Sequence, residues 1–164
     1  MSLLRWPWGS SEDLTAQRLQ PACAAALAHI HAASFAHGWD EEAMAAMILD
    51  DMIQGDGLFV AGQPGNAPVA FVLSRCVLDE AEILTIAVAG RWRGRRASLR
   101  LLQHHLQCLA ARGVRTVHLE VEEGNTPALR LYSGFGFVRT GERKGYYAKA
   151  DGSRATAVLM TREL

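Results

Sequence analysis

The sequence predicts an α+β domain, a mixed central β-sheet of about seven strands flanked by about four helices. Three observations predict it. In the second half of the chain, apolar β-branched runs alternate with segments of helical period, in the order strand, helix, strand, helix, strand. The composition, 49% hydrophobic and 21% charged over 164 residues, suits one globular domain spanning 1–164 with a sizeable core. No internal repeat or long linker divides the chain.

Each element follows from local chemistry. Leu14 to Leu19 reads as a first short strand. Pro21 suits the first turn of a helix, where its missing N–H is not needed, and that helix is expected to run to about Phe35. Asp40 is placed to N-cap a second helix, "EEAMAAMILDDMI", whose early carboxylates complement the dipole. Gly55 and Gly57 are expected to stop it. "LFVAG" is a strand, "QPGNAP" a hairpin loop, "VAFVLSRCVL" a longer strand and Asp79-Glu80 a turn. "AEILTIAVA" alternates little and reads as a central strand buried on both faces. Ala97 to Arg112 is a helix with Leu99, Leu102, Leu106 and Leu109 as its apolar stripe, and Gly113 sits where a C′ glycine belongs. "VRTVHLEV" follows as a strand, with Val117, Leu119 and Val121 on one face and His118 and Glu120 on the other. "TPALRLYSG" is a short helix, and "FGFVRTGERKGYY" and "TAVLMTREL" are the last two strands.

Composition narrows the function classes. Lys+Arg and Asp+Glu balance at 17 each, which argues against a direct nucleic-acid binder. Cys23, Cys76 and Cys108 show no CxxC spacing and read as core thiols of a reduced, cytoplasmic protein. No stretch is long and apolar enough to predict a membrane segment. The histidines suggest no metal: His29 and His31 do not share a helix face, and His104 and His105 lack a carboxylate at zincin spacing.

The stretch "RWRGRRASLRLL" follows the central strand and opens a helix. In that position free backbone N–H groups and a helix dipole meet an anion. Gly94 allows close approach, and Arg91, Arg93, Arg95 and Arg96 add charge-assisted donors. A solvated basic turn explains the loop equally well until the next segments are read.

Those segments decide. The order "ILTIAV", "RGRRAS", "LEV", then "N-x-x-A-x-x-LY-x-x-x-GF" resembles the GNAT N-acetyltransferase superfamily. It is most similar to the bacterial enzymes that acetylate the N-terminal alanine of a small-subunit ribosomal protein (the RimI type). "VLDEAEILTIAV", "GYYAKADGSRATAVLM" and "SFAHGWDEEAM" carry the narrower likeness. It covers about Leu14 to Leu164 and is strongest from Val77 onward.

The resemblance implies a GNAT fold with a splayed strand pair, and acetyl-CoA as cosubstrate with no metal. Ile86, Ala87 and Val88 match the strand that pairs with the pantetheine arm. Arg93, Gly94, Arg95, Arg96, Ala97, Ser98 and Leu99 match the pyrophosphate loop, and Asn125 matches a residue near the coenzyme arm. Glu120 matches the general base and Tyr132 the general acid. Trp39 matches the substrate side, and Tyr146 and Tyr147, in the matching hairpin, either clamp a peptide N-terminus or leave one ring packed inward. The implied partner is a protein or peptide N-terminus, on a ribosomal protein, and the expected state is a monomer or weak dimer.

One departure stands out. Where the family pattern is Gln/Arg-x-x-Gly-x-Gly/Ala, this chain has Arg93-Gly94-Arg95-Arg96-Ala97-Ser98. Arg96 replaces the first glycine and Ser98 the second small residue; an arginine is tolerated there only if its backbone avoids positive φ.

Acetyl transfer to an amine requires a base for the ammonium proton, a donor for the developing oxyanion (a backbone N–H near Val88 is placed for it) and an acid for the thiolate. Spacing alone makes Glu120 an outer-face residue, Tyr132 a core aromatic and Asn125 an N-cap; the resemblance adds the roles. A GNAT enzyme acting on a small amine or lysine, and a weakened acetyl-CoA-binding or partner-binding module, remain alternatives.

Overall fold

The computed structural model describes residues 13–62 and 67–164. Leu14–Arg18 (β1), Ile53–Val60 (β2), Ala70–Val77 (β3), Glu80–Val88 (β4), Thr116–Glu122 (β5), Val138–Ala148 (β6) and Arg154–Glu163 (β7) form one sheet, in the order β1-β2-β3-β4-β5-β7-β6. Every neighbouring pair is antiparallel except β4 and β5. The helices are Ala24–Ala32 (α1), Glu41–Leu49 (α2), Ala97–Ala111 (α3) and Thr126–Gly134 (α4). The expected mixed seven-stranded sheet with four helices is borne out. Most of the anticipated hairpin loop "QPGNAP" lies outside the described residues.

Each face of the sheet carries its own core. On one, Leu27 and Ile30 of α1 and Met44 of α2 pack with Ile53, Phe71, Leu73 and Ala87. On the other, Leu101, Leu102, Leu106 and Leu109 of α3 and Tyr132 of α4 pack with Val72, Ile83, Val117 and Leu119. Leu101, and not Leu99, completes the α3 stripe; Leu99 is 42% exposed in the first turn, where the helix end leaves the sheet.

Several local expectations hold. Asp40 caps α2 by accepting from the Ala43 amide at 2.8 Å. Gly113 has φ +91° just past α3, as a C′ glycine should. Others are corrected. The first helix ends at Ala32, short of Phe35, after a 3₁₀ turn over Pro21–Cys23. Gly55 and Gly57 do not stop α2, which ends at Leu49; they lie inside β2. A Cβ at Gly57 would come within 2.8 Å of Leu19 Cδ2, and one at Gly55 within 2.9 Å of Leu73 Cδ2. The glycines make room for buried leucines. The anticipated turn at Asp79-Glu80 ends one residue earlier, since Glu80 already begins β4.

β4 is also not buried evenly on both faces. Its residues alternate in burial, and a register shift between Leu73 and Ser74 of β3 sets Thr85 opposite Leu73 and Ile83 opposite Ser74, so that Leu84 is an extra residue. The bulge reverses side-chain parity. Before it, Ala81 and Ile83 join the α3 core; after it, Ile86 and Val88 do, while Ala87 turns to α1 and α2. Beyond the bulge the parallel pairing with β5 also ends, its last pair being Ile83 with Leu119. The expected splayed strand pair is therefore present. Among the described residues, the β5-facing backbone of Ile86, Ala87 and Val88 has no partner strand.

Candidate active site

The splay opens toward the N-terminus of α3. A 3₁₀ turn over Gly90–Trp92 leaves β4, and α3 starts at Ala97 with Arg96 as its N-cap. Among the described residues no side chain caps this end, and the first helical bond runs from the Arg100 amide to the Arg96 carbonyl at 3.1 Å. The amides of Ala97, Ser98 and Leu99 thus have no intrahelical acceptor, and the dipole's positive end faces the same space. Gly94 has φ +73°, and open space surrounds the position its Cβ would take. Arg96 has φ +60°, so the condition under which arginine is tolerated without strain is not met. The loop keeps the left-handed turn that a glycine would take freely, and arginine bears the steric cost.

The loop arginines have different partners. Arg93 donates from Nε to the Val88 carbonyl at 3.1 Å and from Nη2 to Ser34 Oγ at 3.0 Å. It ties the end of β4 to the segment after α1. The guanidinium carbons of Arg91 and Arg95 lie 5.4 and 5.7 Å from the centre of the Trp92 ring, which is buried beneath them. These contacts keep basic groups around the loop without using the backbone amides.

On the far side of the splay, Glu120 points from β5 into a cavity of about 360 Å³ that is also lined by Arg75, Glu80, Glu82, His118, Thr161 and Arg143. Its Oε1 forms an ion pair with Arg143 Nη2 at 3.1 Å. Tyr132 lies on the other side of the sheet, buried among the α3 core residues and edge-on to Phe137. Its phenol is pushed up to about 12 by burial, with the nearby Tyr147 adding to the shift. Tyr147 is itself raised, first by burial and then by Glu120. The two catalytic candidates therefore share one electrostatic neighbour from opposite faces. Tyr146 and Tyr147 meet edge to face at 5.1 Å, and Arg143 lies 5.4 Å from the Tyr146 ring centre.

The remaining candidates are less closely joined. Trp39 stacks on His31 at 4.6 Å and its amide donates to His31 Nδ1 at 3.1 Å, but it lines no part of the cavity beside Glu120. Asn125 caps α4, accepting from the Ala128 amide at 3.2 Å. The sequence reading missed Arg143, because nothing local distinguishes it from the other cations of β6. It also missed the polar line through the α3 core. Ser74 Oγ lies 2.7 Å from His105 Nε2, and His105 Nδ1 lies 2.6 Å from Asp56 Oδ2, all three residues being buried. Asp56, His104 and Cys108 bring donor atoms within 4.8 Å of one another, the one such trio among the described residues. Each already has a partner: Gln54 and His105 donate to Asp56, and Cys108 Sγ meets His104 Nε2 at 3.3 Å.

Comparison with known proteins gives this geometry a family. The acetyltransferase (GNAT) family pattern matches residues 24–137. The chain belongs to the acetyltransferase (GNAT) family. Its expected RimI-type branch is borne out as well. The chain is similar to the [ribosomal protein bS18]-alanine N-acetyltransferase of Escherichia coli K12, with 34% identity over 80% of this chain and 85% of that one. It is 39% identical to the enzyme of the same name from Haemophilus ducreyi over 56% of this chain, an alignment that spans 63% of that relative. The crystal structure of the E. coli ribosomal-protein-S18-alanine N-acetyltransferase superposes with a TM-score of 0.83 at 30% identity, covering 92% of this chain and 94% of that one. Arabidopsis thaliana NAA60 in complex with acetyl-CoA shares the fold, with a TM-score of 0.82 at 20% identity over 93% and 99% of the two chains. GNAT enzymes use acetyl-CoA, and the open splay, the uncapped α3 N-terminus and the surrounding arginines suit its amide-bearing arm and its phosphates in turn.

Proposed function

We propose that this chain, as one domain, transfers the acetyl group of acetyl-CoA to the N-terminal α-amine of a protein, alanine of a ribosomal protein. One observation carries the reading. The β4–β5 pairing stops at Ile83 and Leu119, and Glu120 is the next residue of β5. A carboxylate thus stands at the mouth of the splay while the phenol of Tyr132 lies across the sheet from it. The similarity to the two bacterial alanine N-acetyltransferases supports the choice of acceptor.

Acetyl-CoA supplies an activated thioester when bound, held by the β4 edge at Ile86, Ala87 and Val88, by the 93–99 loop and by Asn125. Glu120 takes a proton from the acceptor ammonium, directly or through water. Tyr132, still protonated far above neutral pH, gives one to the departing sulfur. An N-terminal amine suits such a base better than lysine, with a reference value of about 7.7–8.0 against about 10.4. Tyr146, Tyr147 and Trp39 flank the acceptor's first residues.

A thiol-release assay with acetyl-CoA tests the reading. Peptides beginning Ala, Ser, Met and Leu are compared with a peptide whose one amine is a lysine side chain, and with small amines. Turnover should be highest for Ala and low for lysine. Preference for lysine or a small amine over every N-terminus overturns the acceptor; no turnover with any amine overturns the enzyme.

A further inference from the structure

Glu120 forms an ion pair with Arg143, and nothing in the acetyl-transfer roles above uses that arginine. Register explains how it reaches. Glu120 of β5 stands opposite Leu159 of β7, Leu159 stands opposite Gly141 of β6, and Arg143 stands opposite Ala157. All lie on one face of the sheet. Gly141, one strand beyond Leu159, adds no side chain to that row, and the long arm of Arg143 crosses diagonally over β7. Its guanidinium then sits between Glu120 Oε1 and the ring of Tyr146.

The contact is one-sided. Oε1 is held at 3.1 Å, and Oε2 has no ion-pair or hydrogen-bond partner among the described residues. Glu120 is only 19% exposed and Arg143 54%. Around the carboxylate the cavity presents Glu80 and Glu82 from β4, Arg75 from β3 and His118 from β5 itself. Glu122 follows on the same strand face, paired with Lys149 at 3.0 Å, and His118 is paired with Glu80 at 3.2 Å. Tyr147 faces Glu120 from β6, while Leu159 and Thr161 of β7 bring no charge. Arg143 is the one cation in contact with Glu120 among the described residues.

We propose that Arg143 is the positioning residue of Glu120: it holds Oε1 and leaves Oε2 to meet the acceptor amine or its water. The inference rests on Glu120 being the base. It also joins base to acceptor, because the guanidinium that fixes Glu120 is stacked on Tyr146, so a peptide touching Tyr146 bears on the arm that aims the base.

The test compares Arg143→Ala and Arg143→Lys with the unaltered enzyme by thiol release from acetyl-CoA, over a range of alanine-peptide concentrations. For Arg143→Ala kcat should fall by roughly ten- to hundredfold, the scale of a misplaced reacting group. KM for the peptide should stay within about threefold. Arg143→Lys should recover most of the lost kcat. A loss carried by KM and not recovered by lysine means a structural role and overturns the proposal, as does an unchanged kcat. Glu120→Gln separates the two ideas. If it is inactive and Arg143→Ala keeps its kcat, the positioning role alone falls. If it keeps full activity, the base assignment falls and the positioning role with it.

Discussion

Gly94 and Arg96, on either side of Arg95, both adopt left-handed backbone, with φ +73° and +60°. The loop before α3 needs this pair of reversals to turn from the 3₁₀ segment into the helix with its first amides exposed. Glycine takes such angles freely, and a residue with a Cβ loses roughly 1–2 kcal/mol.

Arg96→Gly should therefore stabilise the fold by about 1 kcal/mol, once glycine's greater freedom in the unfolded chain is offset. Denaturant unfolding measures it. Calorimetry with acetyl-CoA then separates backbone from side chain. If the amides of Ala97, Ser98 and Leu99 bind the phosphates, affinity should stay within about threefold. A large drop would make the Arg96 guanidinium a phosphate ligand.

Gly57→Ala should destabilise by about 1–3 kcal/mol, the usual range for overpacking. The new methyl would meet Leu19 Cδ2 at 2.8 Å and Phe59 Cε2 at 3.0 Å, and Leu19 is buried, so it must repack within the core to give way. The same substitution at Gly62, which has open space around its missing Cβ but φ +75°, tests strain without crowding. Thermal unfolding of both variants should rank the two costs, and an unchanged Gly57→Ala would mean that Leu19 repacks.

Much of this architecture was legible from local chemistry. Asp40, Asn125 and Gly113 are helix punctuation that depends only on adjacent residues, and α4 lies where Pro127 and the apolar spacing put it. The alternation in "VRTVHLEV" gave the inward face of β5 for the same reason. Long-range packing was not legible. Gly55 and Gly57 look like helix stops until Leu19 is laid across them. The bulge at Leu84 leaves no local mark, because every residue near it is compatible with a strand. Of the candidate site, the motifs supplied Glu120 and Tyr132 as the proposed base and acid. The ion pair of Glu120 with Arg143 depends on the β5-β7-β6 strand order, which spacing does not encode.

The buried line through Asp56 predicts acid sensitivity. Burial raises the Asp56 carboxyl, but the hydrogen bond and charge of His105, with Gln54 and His104 assisting, outweigh it and hold it below its ordinary value. A carboxyl depressed by folding contributes stability above its unfolded value, near 3.8, and loses that contribution as pH falls through the folded one. At pH 7, Asp56→Asn should cost about 2–3 kcal/mol, the scale of a charge-assisted hydrogen bond. The gap between the two proteins should stay level down to about pH 5 and narrow below pH 4. Urea unfolding across that range checks it. A gap that widens on acidification would show the opposite sign of coupling.

Tyr132 predicts behaviour at the other end of the scale. Burial pushes its phenol up to about 12, so it remains a proton donor through the whole range in which the protein can be assayed. An exposed tyrosine would start to ionise as pH approaches 10 and the rate would fall with it. With Tyr132 as the acid, kcat should show no descending limb between pH 8 and 10 after correction for uncatalysed thioester hydrolysis. Tyr132→Phe should lower kcat by roughly 10²-fold or more, the usual contribution of a placed acid. It should leave KM for the peptide nearly unchanged, because the hydroxyl sits across the sheet from Glu120 and the ring keeps its edge-on contact with Phe137 at 5.7 Å. The same packing should keep the phenylalanine variant folded, which thermal unfolding can confirm. A wild-type limb near pH 10 that disappears in Tyr132→Phe would mean that the phenol ionises in the working range, and the buried-acid assignment would have to be abandoned.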